Sequence, residues 1–382
     1  MVNPEEQADS NSSTVIEIRK KFADRNIMHP QHQGLSTNEV ASMLADSETT
    51  CTEIMVDGGE TLALPQLARV EHFEWLNTDF FQKRFPDEFG RDTLFNFIDI
   101  PGVEPGPQVV EKLRLLAEKN GVLTFDTASC DPESLERIIG ILDSVGVSHE
   151  APQPLGSQTY FAGQAKLLTI TPSDSPHTLG ESYDILGEEN IAMFDPATKT
   201  GVVLQHHVPE DVARYMYDFY KKAYEVLNDH PCRQGLSPEE FLDMAVNDAG
   251  VDKLIYFNNG VPEALYLACN DLSKLSWVNT QYYQKKYPEQ YAKGQLIWFP
   301  GIATDPRPEV AGHNTQYMIG LMAKLVAESG NDFVALMDFC DINADWLPGY
   351  LESEINKTSV ARIEIPPIAK QQYWSVQLAA AA

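Results

Sequence analysis

Four stretches of this chain recur in the same order further along it. His29-Pro30-x-x-Gln33-Gly34-Leu35-Ser36 returns as His230-Pro231-x-x-Gln234-Gly235-Leu236-Ser237. Trp75-x-Asn77-Thr78 and the residues to Pro86 return as Trp277-x-Asn279-Thr280 and the residues to Pro288, with an aromatic wherever the first copy has one. Cys130-Asp131 matches Cys340-Asp341, and Gln158-x-Tyr160-x-x-x-Gln164 matches Gln371-x-Tyr373-x-x-x-Gln377. A repeat of about 150 residues is too long for a solenoid unit and the right size for a domain, so the chain is a duplicated domain. It divides into a disordered tail (1–13), a first repeat (14–166), a connector with strands (167–208) and a second repeat (209–382).

Bulk properties narrow the class. The 382 residues are 43% hydrophobic, enough to bury two ordinary cores. No apolar run has the length of a membrane span, and Met1 to Ser13 is polar and acidic, which points to a cytoplasmic protein with no membrane partner. Five cysteines, odd in number and without a C-x-x-C pair, fit a reducing compartment. The formal net charge of -28 disfavours nucleic acid, whose phosphates require Lys and Arg. The acids are dispersed, so the excess reads as a solubilising surface rather than imitation of nucleic acid.

Each repeat is expected to open with two helices. The first runs over Thr14 to Asn26 or Glu210 to Leu227, and the second follows Ser36 or Ser237, each with a glutamate (Glu39, Glu240) placed for a capping box. Strands at Thr52 to Val56 and Lys253 to Phe257 end in Asp57-Gly58-Gly59 and Asn258-Asn259-Gly260, which read as hairpin turns. Asn-Thr at 77–78 and 279–280 looks like a helix start. Apolar strands at Leu94 to Ile100 and Gln295 to Phe299 are each expected to stop at a Pro-Gly. A helix (Gln108 to Lys119, Thr315 to Ser329), a strand (Val122 to Asp126, Phe333 to Phe339), a helix and a last extended segment complete each unit. The connector adds strands at Leu168 to Thr171, Ile191 to Phe194 and Val202 to Gln205, which are expected to supply the first strand of the second repeat.

That order, with a hairpin and a strand-to-helix crossing in mid-domain, resembles the GNAT acyltransferase fold. The resemblance implies an α/β protein of two tandem units, each a mixed, mostly antiparallel sheet flanked by helices. It also implies an acyl-CoA or other acyl thioester as donor, a small-molecule acceptor such as an amine, and no metal. GNAT domains carry Asn with Tyr seven residues later after the fifth strand, and Asn343 and Tyr350 have that spacing. By the resemblance Tyr350 is the general acid to the departing thiolate, a role a phenol suits because it can donate and recover a proton. Counted from the shared Cys-Asp, the first repeat has Gly140 there, so the second repeat is the active half. The family's Gly-rich turn offers backbone N–H groups to pyrophosphate. The resemblance therefore sets the donor beside Gly301, Ile302, Gly312, His313, Asn314 and Thr315, although Asn314 and Gln316 fill positions the family keeps small. In the first repeat Glu104 stands in that turn and would repel phosphate.

Other residues have two readings. His206 or His207, just before a helix, could take a proton from an attacking amine, though neighbours on a strand face opposite ways. Trp277 and Tyr282 either line an acceptor pocket or anchor an inserted helix to the sheet, as their counterparts in the first repeat suggest. His29-x-x-His32 reads as a capped turn, since Arg233 replaces the second histidine in the other repeat. Cys340, echoed by Cys130, reads as a buried small apolar residue. The alternative to an enzyme is a duplicated module that has lost its chemistry and binds a small molecule or a protein, and a homo-oligomer is compatible with either.

Overall fold

A computed structural model describes residues 50–57, 60–98, 105–128, 133–167, 192–195, 197–205, 207–247, 250–275, 277–305, 333–357 and 361–379. Its strands are β1 (Thr50–Asp57), β2 (Glu60–Arg69), β3 (Leu94–Phe97), β4 (Val122–Ala128), β5 (Ser148–His149), β6 (Gln153–Leu167) and β7 (Ala192–Asp195). They continue with β8 (Thr200–Gln205), β9 (Val251–Asn258), β10 (Val261–Cys269), β11 (Leu296–Thr304), β12 (Phe333–Cys340), β13 (Ala361–Glu364) and β14 (Pro367–Ala379). The hairpins form where the turn residues set them. Asn259 and Gly260, at φ 52° and 81°, are the left-handed pair of a two-residue turn, and β9 folds back on β10 through them. In the first repeat β1 pairs with β2 from Asp57↔Glu60 onward.

Local sequence also explains the helices. Among the described residues these are α1 (Thr78–Arg84), α2 (Pro86–Gly90), α3 (Pro107–Glu118), α4 (Ser134–Ser144), α5 (Glu210–Glu225), α6 (Pro238–Leu242), α7 (Thr280–Lys286), α8 (Pro288–Ala292), α9 (Asp341–Ala344) and α10 (Leu347–Lys357). Asn77 and Asn279 cap α1 and α7, each side-chain oxygen accepting from a backbone N–H three residues on at 3.2 Å. Ser237 and Glu240 form the expected capping box of α6. Helix α5 starts after Pro209 with Glu210 and Asp211 in its first turn, and buries Ala213, Met216, Phe219 and Tyr220 at helical spacing.

The strands build one 14-stranded mixed sheet whose main path runs β1-β2-β3-β4-β14-β6-β12-β11-β10-β9-β8-β7. All pairings are antiparallel except β3 with β4 and β11 with β12, the two crossover pairs. The connector does supply the second repeat's outer strands, β8 beside β9 and β7 beyond it. The centre of the sheet shows what the repeat alone does not. Strand β6, which ends the first repeat, pairs with β12 of the second, while β14, which ends the second, pairs with β4 of the first. The two exchanged strands pair with each other, with Gln158 directly opposite Gln371. A pseudo-twofold axis therefore passes between these glutamines, and each repeat completes the other's sheet.

Alternation along the strands sorts the core. One face carries the apolar clusters around Tyr160, Tyr220 and Trp298 and around Trp75, Phe81 and Tyr373, covered by α5, α6, α7 and α1. The other carries the clusters around Phe161 and Tyr266 and around Phe95 and Phe125, covered by α10, α3 and α4.

Three expectations need correction. Strand β11 does not stop at Pro300-Gly301 but runs to Thr304. Its ladder with β10 shifts between Leu267 and Cys269, beside Pro300, and it has already left β12 there, so no ladder bond needs the missing N–H. The ladders also place Ala128 opposite Gln371 as Cys340 is opposite Gln158, so the Cys-Asp match is out of register with the sheet. The helix carrying Asn343 and Tyr350 is two helices, α9 and α10, with Pro348 in the first turn of the second. The helices expected at 14–26 and 315–329, the cap at Ser36 and Glu39, His29 to His32, the strand at 168–171, Cys130, Glu104, His206 and the segment 312–315 lie outside the described residues.

Candidate active site at the strand fork

Strands β11 and β12 are joined through Leu296↔Val334, Ile297↔Ala335 and Trp298↔Leu336 and no further. Beyond that point β11 continues beside β10, and β12 continues beside β6 as far as Cys340. Two parallel strands that part in this way leave a fork in mid-sheet, with backbone groups on its inner edges that no ladder uses. Such a wedge can admit an extended ligand between strands.

The α5 face of the fork is lined by polar groups. Asp338 lies two residues past the last β11–β12 pair and points to this face, as Leu336 does. Its carboxylate accepts a 2.6 Å hydrogen bond from Gln158 Nε2 on the exchanged strand β6. Gln158 Oε1 in turn accepts from Gln234 Nε2 at 3.0 Å, in the loop before α6. His230, in the same loop, is buried; Cys232 N–H donates to its Nδ1 (3.2 Å), which leaves Nε2 to donate to the Ser157 carbonyl (3.1 Å). Burial holds this imidazole below its ordinary pKa, against the pull of the nearby Asp341 carboxylate. Desolvation raises Asp338 to about 6.

Tyrosines close the site. Tyr220 and Tyr224 on α5 stack at 4.4 Å, and Tyr224 Oη accepts from Ile302 N–H at 3.2 Å. Burial raises Tyr224 to about 12, and Asp338 is the strongest charge acting on it. Asp338 is likewise the strongest charge acting on Tyr283, whose hydroxyl is fully buried and, among the described residues, has no hydrogen-bond partner. The indole N–H of Trp298 is in the same position, and its ring meets that of Tyr283 edge-on at 5.7 Å.

The residues expected at the site divide between the two faces. Gly301 faces α5: a Cβ there would meet Tyr220 Cε2 at 3.2 Å and Tyr224 Oη at 3.7 Å, so its missing side chain seats the tyrosines. Ile302 belongs to both sides, since its N–H is held by Tyr224 while its side chain packs with Tyr350 in the cluster under α10. Tyr350, half-buried, is at 6.4 Å from the exposed ring of Trp346. Trp277 and Tyr282 pack on the α5 face, with Lys286 over the Tyr282 ring. His207 is not brought to the fork: it is exposed, near the Val246 carbonyl (3.0 Å), and follows Gln205, three strands from β11. Cys340 is buried, as expected, and burial raises its thiol pKa.

Asp338, Tyr224, Tyr283 and Gln158 were not singled out from sequence as site residues. A signal for Tyr283 exists. Phe80, Phe81, Phe85 and Phe89 of the first repeat are Tyr282, Tyr283, Tyr287 and Tyr291 in the second, and no tyrosine precedes Tyr160 anywhere in the chain. Four added hydroxyls in one copy are not needed for packing that phenyl rings already achieve.

The strand order and the fork define a duplicated, strand-exchanged α/β fold. No protein-family model matches the sequence. No curated protein matches it either. Among solved structures the chain is similar to a tandem GNAT protein from the clavulanic acid biosynthesis pathway, at 10% identity and TM-score 0.41 over 96% of this chain and 94% of that one. It is also similar to a probable N-acyltransferase from Enterococcus faecalis V583 (9% identity, TM-score 0.35, 95% of this chain and 69% of that one). A GCN5-related N-acetyltransferase from Kribbella flavida matches at 13% identity and TM-score 0.29, over 74% of this chain and 80% of that one. Among the described residues no helix is long and apolar enough to cross a membrane, and no group of three or more His, Cys, Asp or Glu could hold a metal ion.

Proposed function

We propose that the chain is an acyltransferase that moves an acyl group from a thioester to an amine, working at the fork of its second repeat. The fork carries this reading: β11 and β12 part after three residue pairs and leave an opening bordered by Gly301 and Ile302. A thioester lying there has the α5 face on one side and Tyr350 on the other. The amine nitrogen attacks the carbonyl carbon, the C–S bond breaks, and the Tyr350 hydroxyl supplies a proton to the departing thiolate. Acyl-CoA is the leading donor, with Gly312, His313, Asn314 and Thr315 as candidate contacts, and His206 as a candidate base alongside Asp338. The first repeat braces the second.

A panel of acyl-CoA thioesters with primary amines, followed by thiol release, tests this. Tyr350→Phe is expected to lower kcat about 10²-fold or more while leaving folding intact. No thiol release with any donor, or unchanged turnover in Tyr350→Phe, contradicts the assignment. One observation favours a second reading, a binding module without turnover: Tyr224 already occupies the Ile302 N–H and, with Tyr220, the space beside Gly301. Donor binding without thiol release is the result that module predicts.

A further inference from the structure

We infer that the loop from His230 to Gln234 is an acid-sensitive clasp: the neutral imidazole of His230 holds it to the exchanged strand β6 and to the Asn77 cap of the first repeat, and uptake of a proton releases it. The inference rests on the fold and holds whether or not the fork transfers an acyl group. The His230 side chain is 2% exposed. It sits against β6 where Gly156 leaves room, since a Cβ at Gly156 would meet its Nε2 at 3.0 Å. Nε2 donates to the Ser157 carbonyl at 3.1 Å, and Nδ1 accepts from Cys232 N–H at 3.2 Å. The His230 carbonyl accepts from Asn77 Nδ2, and the Pro231 carbonyl accepts from Asn77 N–H. Gln234 Nε2 donates to the Cys232 carbonyl at 3.2 Å and to Gln158 Oε1 at 3.0 Å. One ring therefore fixes a loop that touches both repeats.

A proton added to this imidazole goes to Nδ1, the nitrogen that is accepting. Nδ1–H then faces Cys232 N–H, donor against donor, and the acceptor nearest to it is the Cys232 carbonyl at 3.4 Å. That carbonyl already takes Gln234 Nε2, which itself lies 3.4 Å from Nδ1. The new bond displaces Gln234 and strips a buried Cys232 N–H of its partner. The groups around the ring set the balance. Asp341 Oδ1, at the start of α9, is 3.6 Å from Nε2 and favours the charged form. Tyr373 of β14 meets the ring edge-on at 5.9 Å, and burial keeps its phenol protonated. Strand β6 presents the Ser157 backbone, the Cys232 thiol points to the Arg233 carbonyl, and Arg233 is paired with Glu240 at 2.8 Å. Burial outweighs Asp341 and holds the imidazole below its ordinary pKa. An opened loop frees the ring to take a proton at about pH 6.5, so each unit below that value favours opening by up to about tenfold. Opening also takes from Gln158 its bond to Gln234, leaving it held at Asp338.

Hydrogen-exchange mass spectrometry of the full chain tests the clasp in the peptides that carry Asn77 and Arg233, with rates corrected for the intrinsic pH dependence of exchange. Both peptides are expected to lose protection about tenfold between about pH 7 and pH 5.5, while those from β9 and β10 keep theirs. His230→Asn offers Cys232 N–H an acceptor that takes no proton, and should make loop protection independent of pH over this range. Asp341→Asn removes the charge that favours the imidazolium in the closed loop, and should deepen the loss in acid. Asp338→Asn should leave the response in place, which separates it from the proton that Asp338 itself gains on folding. Constant protection in the wild-type chain, an equal acid response in His230→Asn, or a response that vanishes in Asp338→Asn overturns the inference. If His230→Asn fails to fold, Asp341→Asn decides, and a response no deeper than that of the wild-type chain overturns it.

Discussion

Asp338 shows how one side chain links stability to the site. Its carboxyl is raised from 3.8 to about 6 because burial penalises the charged form more than Gln158 stabilises it. The folded state thus holds this proton more tightly than the unfolded chain. The contribution is most favourable below about pH 4, declines as pH rises to about 6 and is level above that. Compared with Asp338→Asn in chemical denaturation, the wild-type chain should lose about 2–3 kcal/mol of relative stability across that window. A flat difference, or one that grows with pH, would show that the carboxyl is not held in this environment. The tyrosine asymmetry that marks the site is plain in the sequence once the repeats are aligned, but its meaning depends on Tyr283 being buried next to Asp338. Spacing along a chain does not bring residue 283 to the fork; the packing of Tyr283 of α7 against Trp298 of β11 does.

At the level of elements, loops tie the repeats together as firmly as strands do. Asn77 caps α1, and its Nδ2 donates to the Asn228 carbonyl (2.7 Å) and the His230 carbonyl (2.9 Å) in the second repeat. Its own N–H donates to the Pro231 carbonyl (2.8 Å), and Arg233 N–H donates to the Trp75 carbonyl (3.0 Å). The Trp-x-Asn-Thr stretch of one repeat therefore clasps the His-Pro-x-x-Gln-Gly loop of the other. Replacing Asn77 with Ala should cost about 2–3 kcal/mol, read as a shift in the denaturation midpoint, because a cap and two cross-repeat hydrogen bonds are lost together. A change below about 0.5 kcal/mol would mean that the clasp is not formed. Elements with local causes were legible in advance: the Asn-Gly hairpin, the Ser237 and Glu240 box, the Asn caps. Pro300-Gly301 does not end β11, because proline ends a strand only where a neighbour needs its N–H, and β11 has no β12 neighbour at that point.

For the whole molecule, the repeat made two domains visible while hiding their dependence on each other. Periodicity marks β6 and β14 as strands but is silent on which neighbours they choose, and the choice is the exchange that makes one sheet. Without β6 the second repeat would expose the ladder edge of β12 from Phe333 to Cys340, and without β14 the first would expose β4. A chain divided after Leu167 should therefore yield two pieces that are insoluble apart and copurify when expressed together. Independent folding of residues 168–382 as a soluble monomer would contradict the exchange.

A strand of the first repeat, β6, lines the candidate site in the second through Gln158. Gln158 and Gln371 face each other across the pseudo-twofold axis and bind Asp338 and Asp126 through equal 2.6 Å contacts, so they make a matched pair of probes. The direct measurement is acyl-CoA affinity, together with thiol release from the thioester panel, in Gln158→Leu and Gln371→Leu at temperatures where both remain folded. Gln158→Leu, although it lies in the first repeat, is expected to weaken binding and turnover about tenfold, and Gln371→Leu to leave both near wild type. The reverse pattern, or equal loss in the two variants, would contradict it.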